Sequence, residues 1–243
     1  MKTMKPLLVL SLALLLSLPG SLLAAETAGR ITLLTGRATA ADMDGNIRGL
    51  AKNGNVYAGE VINTGPNSYL NVKFTDGGRI LLRPNTRFQI EAYKTTPAVV
   101  DPAERANARS GRSGQAVESE EESNAVFRLL KGGFRAITGL IGRENKDRYK
   151  VRTPVATIGI RGTDFEVRLC AGDCVDVTPP PADGLYAGVF DGGIVTVNGA
   201  GSVDTDAGQY SFTPNASSPG QRLPRRPRVL AQDPMPDPEN CGE

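Results

Sequence analysis

Asp164 and Glu166 stand two residues apart in the run "TPVATIGIRGTDFEV" (Thr153–Val167). If the run is extended, both carboxylates lie on one strand face. A carboxylate pair can serve as acid and base, as in glycoside hydrolysis. The chain has no His, so a Ser-His-Asp triad, a Cys-His pair and a His-ligated zinc site are all ruled out. The i, i+2 carboxylate spacing is common in strands, and the chain reads as a non-enzyme without catalytic residues, cofactor or metal site. Of its three Cys, Cys170 and Cys174 lie four apart in "LCAGDC", and Cys241 is near the end. These are too few thiolates for a metal centre, so a disulfide is the first reading. If "EVRLC" and "CVDV" pair around Ala171–Asp173, Cys170 and Cys174 face each other at a bridgeable distance. Cys241 would then stay free or pair between chains.

Arg161 sits in the middle of the same run. Ala156, Ile158 and Ile160 fall on one face, whereas Phe165 and Val167 follow at an odd offset from Ile160 and would point the other way in an unbroken strand. A bend at Arg161-Gly162-Thr163 restores the register, and Gly162 is its natural site. Arg161 is therefore expected to be structural, tying down loop carbonyls or a carboxylate such as Asp164 or Glu166. Thr153, Pro154, Thr163 and Phe165 complete this structural motif.

The elements that must position these residues read as short strands. Gly and Pro are frequent, at 28 and 17 residues, with Val, Ile and Thr between them. In "SYLNVKFTDGGRILLRP", Leu70, Val72, Phe74, Ile80 and Leu82 share an apolar face across an Asp76-Gly77-Gly78 turn. Arg79 and Arg83 are expected to point away from it. "FRLLKGGFRAITGLIG" reads as strand, turn, strand, broken at Gly132-Gly133. A phrase of Gly, alternating apolar residues and Gly recurs at Ala28–Gly36, Lys131–Gly139 and Asp191–Gly199, without a strict period.

The flanks differ in character. Residues 1–25 combine Lys2 and Lys5, an apolar run from Leu7 to Leu16 and a small-residue end at Ala24-Ala25. This is the layout of a signal peptide, with an uncleaved anchor as the alternative. No later stretch is apolar enough for a membrane span, so the mature chain is expected to be periplasmic or secreted. The 28 Lys+Arg and 26 Asp+Glu become equal once the two Lys of that segment are removed. A neutral protein has no electrostatic case for nucleic acid. Residues 96–124, with acids at Glu118 and Glu120–Glu122, read as a disordered insertion or an interdomain linker. Residues 213–243, which contain "RLPRRPR", read as a disordered or extended Pro-rich tail. The expected β domain is 26–212, its two ordered pieces sharing one core.

At this point the sequence resembles a known family. "VRTPVATIGIRGTDFEV" is similar to the core of the FecR domain, named for a periplasmic iron(III)-dicitrate signalling regulator. "GLAKNGNVYAGEVINTGPNSYLNVKFTDGGRILLRPNTRFQI" and "GLYAGVFDGGIVTVNGAGSVDTDAGQYSF" resemble its flanking Gly-marked strands, in the same order. The resemblance implies an all-β, non-enzymatic periplasmic domain, sandwich-like or of irregular β-solenoid form. Family members that regulate sigma factors also carry a cytoplasmic anti-sigma segment and a membrane span. This sequence departs from that plan, opening with a signal-like segment and showing no later span.

The expected function is a non-catalytic protein-interaction module of the cell envelope, in signalling or assembly, its partner an envelope protein. The alternative is a binding domain for a cell-wall glycan or small envelope ligand. Against the alternative, aromatic residues make up 5% of the chain and Trp is absent, so sugar-stacking platforms are scarce.

Overall fold

The computed structural model describes residues 26–96 and 122–231. The signal-like segment, most of the insertion, the last part of the tail and Cys241 lie outside the described residues. The first eight strands are β1 (Thr27–Leu34), β2 (Ala38–Ala41), β3 (Ile47–Gly49), β4 (Asn55–Tyr57), β5 (Val61–Thr64), β6 (Leu70–Phe74), β7 (Arg79–Leu82) and β8 (Arg87–Lys94). After the insertion come β9 (Asn124–Ile137), β10 (Tyr149–Arg152), β11 (Thr157–Ile160), β12 (Asp164–Cys170) and β13 (Gly184–Asp191). The last four are β14 (Gly193–Asn198), β15 (Gly201–Asp206), β16 (Tyr210–Thr213) and β17 (Gln221–Leu223).

All the strands among the described residues belong to one 17-stranded sheet that doubles back at β9. The first leaf runs β4-β1-β6-β7-β9-β12-β13-β16-β17, antiparallel throughout. The second runs β3-β2-β5-β8-β9-β10-β11-β14-β15, with one parallel pairing, β9 to β10. The fold is thus all-β, as expected, and its form is sandwich-like rather than solenoid-like.

Gly132-Gly133 was expected to end one strand and start another, but β9 runs through it. Gly132 has φ +79, which turns the strand from one leaf to the other. A Cβ on Gly132 would come within 2.7 Å of the Thr86 Cα, and one on Gly133 within 2.5 Å of the Val167 carbonyl oxygen. Two glycines are what allow one strand to serve both leaves. Beyond β9 the chain forms a one-turn helix, Leu140–Glu144, rather than another strand.

The core lies between the leaves. Phe127 of the second leaf meets Phe74 of the first at 5.2 Å between ring centroids, and Phe88 meets Phe134 at 5.4 Å. The buried apolar cluster takes Ile31, Val72 and Ile80 from before the insertion and Val151, Ile158, Phe165 and Val167 from after it, so the two ordered pieces share one core. The insertion leaves and returns at one point: Lys94 pairs with Asn124, and the Thr96 N–H donates to Ser123 Oγ at 2.8 Å. None of the described helices is long and apolar enough to cross a membrane.

The stretch expected to be a disordered tail departs from the sequence reading over residues 213–231. It carries β17 and a helical turn, Arg228–Ala231, and packs Val229 and Leu230 into a second apolar cluster with Cys170, Cys174, Val177, Tyr186 and Phe212. Val229 and Leu230 supply the apolar surface that composition averaged over the whole tail concealed.

Candidate interaction surface

Alternation along β12 decides what this region can do. Phe165, Val167 and Leu169 enter the main core, while Glu166 and Cys170 lie on the opposite face of the first leaf, under the C-terminal segment. Glu166 is 1% exposed. Its Oε2 accepts from Arg83 Nη2 at 2.9 Å and its Oε1 from Arg226 Nη2 at 2.7 Å. Arg83 points away from the apolar face, as its spacing implies, yet it is among the largest fully buried side chains. The β7 strand is covered on both faces, so the position after it has no solvent side. Arg83 and Arg226 also donate to the Leu230 carbonyl, at 3.3 and 3.1 Å, and Arg168 donates to the Val229 carbonyl at 3.3 Å. These guanidinium groups hold residues 221–231 across the sheet as a strap. Burial pushes the Glu166 carboxyl above the ordinary glutamate range, while Arg226 and Arg83 pull it back.

Asp164 is committed in the same way. Arg135 on the neighbouring β9 strand meets it bidentately, at 2.9 and 2.7 Å, and lies 4.2 Å over the Phe190 ring. The two carboxylates that could have formed an acid–base pair are each held by arginine. Among the described residues no cluster of His, Cys, Asp or Glu could hold a metal ion.

Arg161 occupies the corner between the leaves, where β11 ends in one and β12 begins in the other. Gly162 has φ +67 there, as the bend requires. The partner expected for Arg161 is corrected: neither Asp164 nor Glu166 receives it, because both are taken. It pairs with Asp206 at 2.6 Å and approaches Asp204 at 3.6 Å, with 42% of its side chain exposed. The corner is tied instead by Thr163, whose buried hydroxyl donates to the Gly193 carbonyl at 2.7 Å and whose N–H donates to Thr138 Oγ1 at 2.9 Å. Thr153 builds the preceding turn, its Oγ1 accepting from the Ala156 N–H at 2.9 Å beside Pro154. Arg161→Ala should therefore cost at most about 1 kcal/mol, the usual worth of an exposed ion pair. Gly162→Val should cost about 1–2 kcal/mol from left-handed backbone strain alone, since its Cβ would meet nothing within 4 Å. Urea midpoints of the two variants test this order. A larger loss for Arg161→Ala would show that Arg161 carries the corner.

Cys170 and Cys174 form a disulfide with Cα atoms 5.5 Å apart. The hairpin expected around them is absent: β12 ends at Cys170, whose strand partner is Gly184 of β13, and Cys174 lies in a loop. The loop is pinned by Arg168 to Asp176 at 2.5 Å and by the Gly172 N–H to Asp183 at 2.6 Å. The short spacing fixed which cysteines meet, but it did not fix the strand that holds them.

Asp76, at the turn of the β6–β7 hairpin, does more than form the turn. It is 3% exposed, and its carboxylate accepts from the Gly78 N–H at 3.0 Å and the Ile141 N–H at 3.3 Å, joining the hairpin to the one-turn helix. Desolvation raises its pKa above the ordinary aspartate value against these hydrogen bonds. The folded state thus holds the proton more tightly than the unfolded chain. Its contribution to stability is complete below the ordinary aspartate pKa and is lost as pH rises through the raised value. Glu91, held low by Arg128 and Arg152 despite its desolvation, acts in the opposite sense at acid pH. The wild-type minus Asp76→Asn stability difference should therefore move in favour of the wild type as pH falls from neutral toward 4. Chemical denaturation across that range checks it, and a difference independent of pH would contradict the assignment.

Between residues 177–181 and the strap lies a groove of about 730 Å³, lined by Pro179, Pro180, Pro181, Pro224 and Pro227 with Tyr186, Leu223 and three arginines. Composition marks its "RLPRRPR" wall only as part of a Pro-rich tail, and nothing in the local pattern shows that Glu166 draws it onto the sheet.

Comparison with known proteins adds the family. Residues 60–178 match the family model described as "FecR protein". The match runs from the start of β5 to the loop after the disulfide, so β1–β4 and β13–β17 complete both leaves from outside it. No curated protein matches the chain. Among solved structures, two of a candidate anti-sigma factor from Parabacteroides distasonis share 13% identity, cover 68% of this chain and have TM-scores of 0.45 and 0.46. This chain spans 59% of each of them. A structure described as a cell surface anchoring domain shares 26% identity over 26% of this chain and 82% of its own, with a TM-score of 0.25. The motif at Thr153–Val167 lies within the matched region, and that region, residues 60–178, is a FecR domain.

Proposed function

We propose that this chain is a non-catalytic, signalling-related interaction module of the cell envelope that docks a protein partner. The FecR match supports the regulatory setting. The observation that carries the non-catalytic reading is the state of the two carboxylates: Asp164 is engaged bidentately by Arg135, and Glu166 lies buried between Arg83 and Arg226. A general acid or base needs an oxygen free to reach the substrate, and here those oxygens hold strands and strap together. The signal-like segment supports export, and the Pro-lined groove offers a surface outside the core. Immobilised protein challenged with envelope extract and, separately, with purified cell wall tests the proposal. One envelope protein should be retained in a fixed molar ratio. Retention of wall fragments without protein, or release of cleaved wall products, would overturn it.

A further inference from the structure

The groove beside the strap has a chemistry of its own. Its lining holds Arg225, Arg226 and Arg228 and no Asp or Glu. Arg226 spends its charge on buried Glu166. Arg228 gives one hydrogen bond, to the Thr178 carbonyl at 2.9 Å. Arg225 is exposed and has no hydrogen bond or ion pair among the described residues. Two guanidinium forks therefore stand at the groove with donors unspent, positioned by a strap that Glu166 anchors.

The walls narrow what can bind. Prolines line both sides, and a proline nitrogen has no hydrogen to give. Peptide addition to a strand edge needs a run of backbone donors, and the prolines interrupt that run on both walls, so the side-chain donors that face a ligand come mainly from the arginines. The proline rings, Leu223 and Tyr186 offer apolar surface between them. A ligand that fits must carry its own acceptors and place apolar side chains among them. Carboxylates match the forks bidentately. A polyphosphate or a sugar phosphate would meet the arginines and leave the apolar walls uncovered.

We propose that this groove docks an extended acidic segment of a partner protein, with carboxylates on Arg225 and Arg228 and apolar side chains against the proline walls. The inference rests on the interaction-module reading and names the chemistry of its partner. Because Arg225 and Arg228 are exposed and outside the Glu166 network, reversing their charge leaves the core contacts in place.

The test uses a fluorescent synthetic peptide of alternating acidic and apolar residues, titrated into the purified full chain, beside a counterpart in which Asn and Gln replace every acid. The acidic peptide should bind, weaken with salt, and lose at least about tenfold in affinity to an Arg225→Glu/Arg228→Glu variant with an unchanged unfolding midpoint. Arg225→Glu alone, which touches no strap contact, should lose part of it. Equal binding of the amide peptide, or full affinity in both variants, would overturn the proposal. So would equally tight binding of inorganic polyphosphate. Binding that appears only after residues 232–243 are removed would make the chain's own acidic segment the occupant and would also overturn it. If the peptide fails while one envelope protein is retained equally by wild type and variant, the groove assignment falls and the interaction-module reading stands.

Discussion

Glu166→Ala should destabilise the domain by about 3–5 kcal/mol, the usual cost of stranding one member of a buried ion pair. The cost falls on Arg83, whose side chain is 2% exposed and would be left with its charge far from water. Arg226, 39% exposed, can turn back to solvent. Typical domains have about 5–15 kcal/mol of stability in total, so such a loss is a large fraction of it. The strap should loosen in the same variant, because Arg226 would lose its carboxylate while remaining hydrogen-bonded only to Leu230. Protease cleavage within 221–231 should then accelerate more than the global loss explains. The double variant Arg83→Met/Glu166→Leu should recover much of the stability, since an apolar pair of similar volume removes both charges. Urea denaturation of the singles and the double checks this. Additive losses in the double variant would show that the two residues act independently.

Phe127→Ala should cost a similar amount, about 3–5 kcal/mol. Phe127 is 1% exposed and lies on the half of β9 that belongs to the second leaf. Its ring meets Phe74, Phe88 and Tyr149 at centroid distances of 5.2, 5.4 and 5.4 Å, so its removal opens a cavity where the leaves join. Well-packed aromatic neighbours cannot collapse into that space without leaving their rotamers. Phe127→Leu, which keeps part of the volume, should lose less. A single cooperative transition at a lowered midpoint is the expected melting curve. Two separate transitions would contradict a core shared by the pieces on either side of the insertion.

Much of the leaf structure was legible because strand alternation is a short-range signal. Leu70, Val72, Phe74, Ile80 and Leu82 face the core as their spacing demanded, across the turn that Asp76-Gly77-Gly78 prescribes. Gly162 stood out because the register slipped by one residue there, and it does bend the chain. What could not be read was pairing at long range. Arg83 and Glu166 are 83 residues apart, and each alone looks like an ordinary surface charge on an alternating strand. Both become buried because residues 221–231 cover the outer face of the leaf, and that cover comes from a stretch whose proline content reads as disorder. The local partner suggested for Arg161 was replaced for a related reason. Its conspicuous place in the motif suggested a local partner, whereas Asp206 reaches it from a strand 45 residues away. The smaller Thr163 beside it ties the corner.

The most direct test of the central claim is quantitative mass spectrometry of what the protein retains from envelope extract, comparing wild type with Arg225→Glu/Arg228→Glu at matched unfolding midpoints. The account predicts that wild type holds one protein at a fixed molar ratio and that the charge-reversed variant loses it. Wild type that retains only cell-wall material, or no protein at a reproducible ratio, would contradict it.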